Sequence, residues 1–296
     1  STFRALACLK IMNQIKIGGV PEHFNLPWRL AIEEGHFNFL EQKIIWEDQP
    51  LGTGQMVQKL KSGELDMAVL LTEGVIKAIL EDGLDAAILQ VYVSSPLRWG
   101  IHVPFNSDIR SFDDLKGKTF AISRMGSGSH LMTYVKAEHE GWHLDSLNFQ
   151  VVGDVEACIQ SLEKNETQGF LWEKYTTFPY TEKERCRYID EVITPWPCFV
   201  LAIPRSSSPE KIADLKKMIE VVLQLAATLK TSDDVAELIG WRYNLRLGQV
   251  KNWLVETNWN YLCHNYHKEI EKTVQYLVKL GLVKKENAAG WEQKLF

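Results

Sequence analysis

Cysteine is scarce and scattered in this 296-residue chain. Its five cysteines, Cys8, Cys158, Cys186, Cys198 and Cys263, form no Cys-x-x-Cys pair. An odd, spread set argues against a disulfide framework and reads as buried free thiols. Long apolar runs are missing too. The best window, around 201–204, falls far short of the roughly 20 residues that span a bilayer. The first ten residues hold one Arg and a short patch, Ala5-Leu6-Ala7-Cys8, without the long apolar centre of a signal peptide. That patch reads as a remnant preceding Met12 rather than as a lipoprotein box. Neither charge sign dominates, with 33 basic and 38 acidic residues and a net charge of −5. With no Lys/Arg block, the chain is a poor partner for nucleic acid or an anionic membrane.

Several catalytic signatures are absent as well. No Gly-Lys-Ser/Thr follows the glycine-rich turn at 126–129, so it is not a Walker loop. Leu131 stands where a dinucleotide fingerprint has its third glycine. There is no Gly-x-Ser-x-Gly elbow. Cys263-His264-x-x-His267 lacks a second thiol and reads as a surface helix face, not a metal site. Glu138-His139-Glu140 reads as a solvated helix face.

What the sequence does hold is an alternation of strand and helix patterns. Residues 15–19, 43–46, 66–71 and 86–93 read as strands. Helices at 28–34, 55–61 and 72–80 separate them, with Pro27 in a first turn and Gly35 and Gly63 as stops. A second series follows, with strands at 119–123, 147–152, 168–171, 188–193 and 199–203 and helices at 126–140 and 155–164. This order implies a mostly parallel sheet with helices on both faces. From about Ser208 the pattern turns helical, over 211–229, 232–239, 247–256 and 267–280.

Two stretches carry a resemblance. One is Gly52-Thr53-Gly54-Gln55-Met56 with Leu60-x-x-Gly63-Glu64-x-Asp66-x-Ala68. The other is Asp113-Asp114-Leu115-Lys116-Gly117-Lys118, leading into the strand at 119–123 and the turn at 126–130. In order and spacing the chain, over roughly 15–280, resembles the type II solute-binding proteins of ABC importers, in the nitrate/sulfonate/taurine-like branch. The resemblance implies a two-lobed α/β fold with a ligand cleft between lobes and a helical C-terminal region. It places a first lobe at 12–97, a second at 98–198, and a return with the C-terminal helices at 199–296, with crossovers near 97–103 and 194–202. It implies a small-molecule ligand, an ABC importer permease as partner, and an extracytoplasmic site of action. No complete signal peptide is seen, so a cytoplasmic location stays open. No cofactor or metal is expected. The fold is shared with eukaryotic thiamine-pyrimidine synthases, whose cysteine-rich motif this sequence lacks.

In such sheets, ligands gather where strands end and helix N-termini offer free N–H groups. The strongest candidate is Arg124-Met125-Gly126-Ser127-Gly128-Ser129-His130, where glycines admit close approach and serines donate. Its plain alternative is a helix cap. Thr53 and Gly54, and Thr72 and Glu73, are the first-lobe counterparts, equally readable as caps. His23, Phe24 and Asn25 occupy the first strand-to-helix loop, which in the resembled family contributes to the pocket. Trp172 and Trp196 are candidate stacking walls, or else core. Glu73 and Glu173 would repel a bare oxyanion and favour a ligand with a donor group, such as an amine. A competing reading is an enzyme on the same fold, in thiamine-pyrimidine or menaquinone-precursor chemistry. It would draw on His23, His130, Glu73 and Glu173.

Overall fold

The computed structural model describes residues 13–296. Cys8, the 5–8 patch and Met12 lie outside them. The chain opens with β1 (Gln14–Gly19), α1 (Leu26–Glu33), β2 (Lys43–Asp48), α2 (Thr53–Ser62), β3 (Met67–Leu71), α3 (Thr72–Leu80) and β4 (Ala86–Val93). It crosses to β5 (Arg98–Val103), β6 (Thr119–Ile122), α4 (Gly128–His139), β7 (Asn148–Val151), α5 (Val155–Glu163), β8 (Gly169–Glu173), α6 (Lys174–Glu182) and β9 (Arg187–Ile193). It returns as β10 (Phe199–Pro204). Helices α7 (Pro209–Lys230), α8 (Val235–Tyr243), α9 (Leu247–Glu256), α10 (His267–Lys279), α11 (Lys285–Ala288) and α12 (Trp291–Leu295) follow.

Local chemistry sets the helix ends. Pro27 sits in the first turn of α1, where its missing N–H costs nothing. Gly63 closes α2 in the left-handed region at φ 77°, which a side chain would oppose. Ser127, Asp154, Glu173 and Ser208 each accept a backbone N–H in the first turn of α4, α5, α6 and α7.

The strands form two five-stranded sheets, ordered β2-β1-β3-β10-β4 and β7-β6-β8-β5-β9. The alternation implied a mostly parallel sheet; in each sheet two of the four strand pairings are parallel and two antiparallel. β10 runs antiparallel to β3 and β4, and β5 runs antiparallel to β8 and β9. The cause is the way the chain crosses between the sheets. The edge strand β4 feeds β5 inside the other sheet, and the edge strand β9 feeds β10 inside the first. These crossings span only residues 94–97 and 194–198, too short for the helical crossover that parallel pairing needs. The two crossings brace each other. Leu97 N donates to Thr194 Oγ1 at 3.1 Å, Thr194 N to Leu97 O at 3.2 Å, and Cys198 N to Ser95 O at 3.1 Å.

Two further features were not read from the sequence. β5 was taken as connecting chain. α6, with the sequence KYTTFPYTE, has poor intrinsic helicity and Pro179 inside it. It forms because Glu173 caps it and Tyr175 and Thr177 are buried beneath it. Cysteines 158, 186 and 198 are buried free thiols, but Cys263 is exposed. With His264 it lies in the loop before α10, not on a helix face. Glu138 is not merely solvated, since it accepts from Tyr276 Oη at 2.9 Å and pairs with Lys279 at 2.6 Å. Among the described residues no helix is long and apolar enough to cross a membrane.

The C-terminal helices pack back onto the first sheet's layer, α7 on α1 and α10 on α3. Trp253 of α9 is buried against His23, Phe24 and Trp259 at ring separations of 4.2, 5.1 and 5.6 Å. It thereby ties the C-terminal region to the loop after β1. Trp253→Ala is expected to cost about 3–5 kcal/mol, read as a lower urea midpoint at unchanged slope.

Candidate functional site

Helices α1, α2 and α3 start at the carboxyl ends of β1, β2 and β3, and α4, α5 and α6 do the same in the second sheet. These two sets of strand ends face each other and enclose a cavity of about 30 Å³. Val20, Glu22, Gly52, Thr53, Leu71 and Phe199 line it from the first sheet's side. Leu97, Trp99, Ser123, Ser127, Gly128, Trp172 and Glu173 line it from the second. Such a volume holds roughly two water molecules.

The seam is closed. A methyl added at Gly128 would lie 2.3 Å from both Leu71 Cδ1 and the Trp99 ring, so only glycine lets the two walls meet here. Trp172 Nε1 donates across the seam to Glu22 Oε1 at 2.9 Å. Gly54 and Gly74 back onto the 124–126 loop at the rim: a methyl added at Gly54 would meet Arg124 and Met125 O at 3.4–3.6 Å, and one at Gly74 would meet Gly126 O at 3.8 Å.

Of the residues singled out in the sequence, Thr53, Ser127, Gly128, Trp172 and Glu173 reach this cavity. Thr53 Oγ1 accepts from Leu71 N at 3.1 Å, which leaves its hydroxyl proton free. Ser127 Oγ caps His130 N and meets Ser129 Oγ at 3.0 Å. Ser129 in turn accepts from Ser123 N at 3.2 Å, so the serine-rich turn is largely occupied with its own backbone. Glu173 Oε2 accepts from the backbone and hydroxyl of Thr176, both at 2.7 Å.

The others sit elsewhere. His23 and Phe24 are core, wedged against Trp253, and Asn25 holds Val20 O at 2.9 Å. His130 accepts from Gly126 N at 3.0 Å and turns its ring onto Phe149 and Tyr134. Thr72, Glu73 and Trp196 form a knot at the second crossing rather than a wall. Thr72 Oγ1 donates to Pro197 O at 2.5 Å, and Trp196 Nε1 donates to Glu73 Oε2 at 2.7 Å.

Sequence reasoning missed Glu22, Trp99 and Ser123. Glu22 belongs to the loop after β1 but is not among the residues its sequence marks as candidates. Trp99 was hidden because β5 was not recognised. Trp99 Nε1 and Ser123 Oγ are buried at the cavity without a partner, which marks two places for a guest's polar atoms.

Burial pushes the Glu22 carboxyl up to about 8, and the nearby Glu173 carboxylate adds to this. Burial likewise raises Glu173 and Glu73 to about 7. Burial holds His23 neutral down to about 3, and His102 and His130 down to about 4.

A family model described as Ca3427-like PBP matches residues 99–192. The chain has the type II periplasmic-binding-protein fold. The CA3427 gene product of Candida albicans, described as exhibiting the generic periplasmic binding protein fold, superposes with a TM-score of 0.87 at 26% identity, covering 96% of this chain and 95% of that one. The alkanesulfonate-binding protein SsuA of Xanthomonas axonopodis pv. citri, bound to MOPS, gives 0.74 at 15% identity over 94% and 97%. The aliphatic sulphonate binding protein SsuA of Escherichia coli gives 0.67 at 17% identity over 96% and 92%. No curated protein sequence matches the chain.

The raised carboxyls set a pH dependence. Unfolded, they lose their protons near the ordinary 4.5; folded, they keep them to about 7 or 8. Their contribution is therefore full below about 4.5 and is lost as pH climbs to about 8. The buried histidines act in the other direction, but only below their ordinary 6.5. Between pH 6.5 and 8 the melting temperature is expected to fall, and Glu173→Gln to flatten that fall. An equal slope in the variant would contradict the assignment.

Proposed function

We propose that the chain is a solute-binding protein that captures a small organic molecule by closing two lobes over it, in the role of an ABC importer's substrate-binding component. The lobes correspond to 12–97 with 199–296, and to 98–198. The observation that carries this reading is the shared cavity, whose walls come in nearly equal number from the strand ends of both sheets. A guest touching both walls stabilises the closed form over the open one, and the difference in contact energy drives closure. The braced crossings at 94–97 and 194–198 supply the hinge. A site of action outside the cytoplasm, beside a membrane permease, belongs to the same proposal.

Of the acid/base groups the enzyme alternative draws on, His23 and His130 face aromatic packing and Glu73 is tied to Trp196, which leaves Glu173 at the cavity.

Solution scattering in parallel with calorimetry tests closure. A saturating solute from a panel of amines, sulfonates and aminosulfonates is expected to shrink the radius of gyration. Unchanged dimensions at saturation would count against the proposal. Gly128→Ala is expected to keep the fold yet abolish both compaction and tight binding, because its methyl props Leu71 and Trp99 apart.

A further inference from the structure

Outside the closed cavity lies a larger chamber of about 460 Å³. Two residues line both spaces, Glu22 and Trp172. Their cross-seam hydrogen bond is therefore a partition between an inner void sized for water and an outer one sized for an organic molecule. Past the partition the chamber is walled by Trp172, Tyr180 and Tyr243 and by the flat faces of Pro21, Pro50 and Pro179.

Charge points one way at the junction. Among the described residues no basic side chain lines the inner cavity, whereas Glu22 and Glu173 both do. Glu173 is held by Thr176, and Glu22 takes the Trp172 indole N–H with the Thr176 hydroxyl also near it. The cations nearby are already paired. Arg185 lines the outer chamber but is paired with Glu156 and Glu163, each at 2.7 Å, and its guanidinium lies 5.4 Å from the centre of the Tyr180 ring. Arg29 pairs with Asp48 at 3.0 Å, and Arg242 pairs with Glu33. Lys183 stands exposed at the chamber's edge, opposed there by Asp154 and Glu156. Two adjoining carboxyls without a cation, next to flat aromatic walls, form a receptor for positive charge on a planar body.

We propose that the site takes a flat organic cation or N–H donor, its nitrogen held between Glu22 and Glu173 and its body lying in the outer chamber against Trp172 and Tyr243. The assignment rests on the lobe-closure reading and names the ligand class of that same cleft. A bare sulfonate or nitrate would meet two carboxyls and no counter-charge. In the empty protein the pair retains a proton at neutral pH, so a cation must displace it. Binding should release a proton and tighten as pH rises from 6 to 8.

The test uses benzylamine and 4-aminopyridine as cationic probes and benzenesulfonate as their anionic counterpart. Calorimetry runs at pH 6, 7 and 8 in two buffers of different ionisation enthalpy, with scattering alongside. At least one cation is expected to bind with proton release, gain at least threefold from pH 6 to 8, and weaken at least tenfold in Glu22→Gln. Benzenesulfonate is expected to bind more weakly than either cation and to gain nothing from higher pH. Tighter binding of benzenesulfonate with compaction would overturn the ligand class and leave closure standing. Absence of compaction with all three probes would remove both. Amine binding indifferent to Glu22→Gln would overturn the assignment of the nitrogen. Should Glu22→Gln melt early, Glu173→Gln carries the same expectation, since its amide oxygen still caps α6.

Discussion

The double crossing of the chain between its two sheets is the constraint on which everything else in this molecule rests. Each sheet seats, one place in from its edge, the strand by which the chain enters from the other sheet, β5 after β4 and β10 after β9. The second sheet is the contiguous run β5–β9, whereas the first is complete only when β10 returns to it, and mutual hydrogen bonds hold the two crossings side by side. That arrangement fixes which ends of the sheets face each other. It also leaves two short extended segments as the main covalent links between two well-packed bodies. Short extended segments absorb a rotation by small changes in several dihedrals, whereas packed sheets do not deform gradually.

The C-terminal helices modify that freedom. Glu256 of α9 takes a hydrogen bond from Tyr175 of α6 and pairs with Arg98 of β5 at 3.1 Å. Glu138 of α4 is gripped by Tyr276 and Lys279 at the end of α10. Both are contacts between the second sheet's layer and helices packed on the first. Exposed or half-exposed ion pairs of this kind contribute little each. Such pairs would break and re-form at little cost under the proposed lobe closure, which a dry apolar interface of equal area would resist.

Much of this architecture was legible in the sequence, because it follows from local rules. Glycines at 52, 63 and 126 and serines at 127 and 208 punctuate helices through backbone conformation and capping, which depend on near neighbours. The failures share a different cause. α6 carries a proline and two adjacent threonines, and it is helical because of what lies beneath it. The antiparallel strands β5 and β10 look like any apolar run, since strand direction is not written in composition. The site divides in the same way. Thr53, Ser127 and Gly128 were found because they open helices. His23 and Trp196 were misread because their partners, Trp253 and Glu73, lie 230 and 123 positions away. Glu22 was overlooked because a glutamate beside a proline in a loop ordinarily faces water, and only the opposing lobe buries it.

That burial would oppose closure of an empty cleft. A closed, empty cleft confines Glu22 and Glu173 together, away from water, with one tryptophan N–H for the first and one threonine for the second. Carboxyl groups so placed cost free energy unless they keep a proton or gain a partner. The unfilled donors of Trp99 and Ser123 add to that cost. Opening the seam rehydrates all of them at once. A guest that satisfies them removes the penalty only in the closed form, so its differential affinity is built from the discomfort of the empty state. The polar groups that make the vacant cleft unfavourable are thus the same ones that make occupancy decisive.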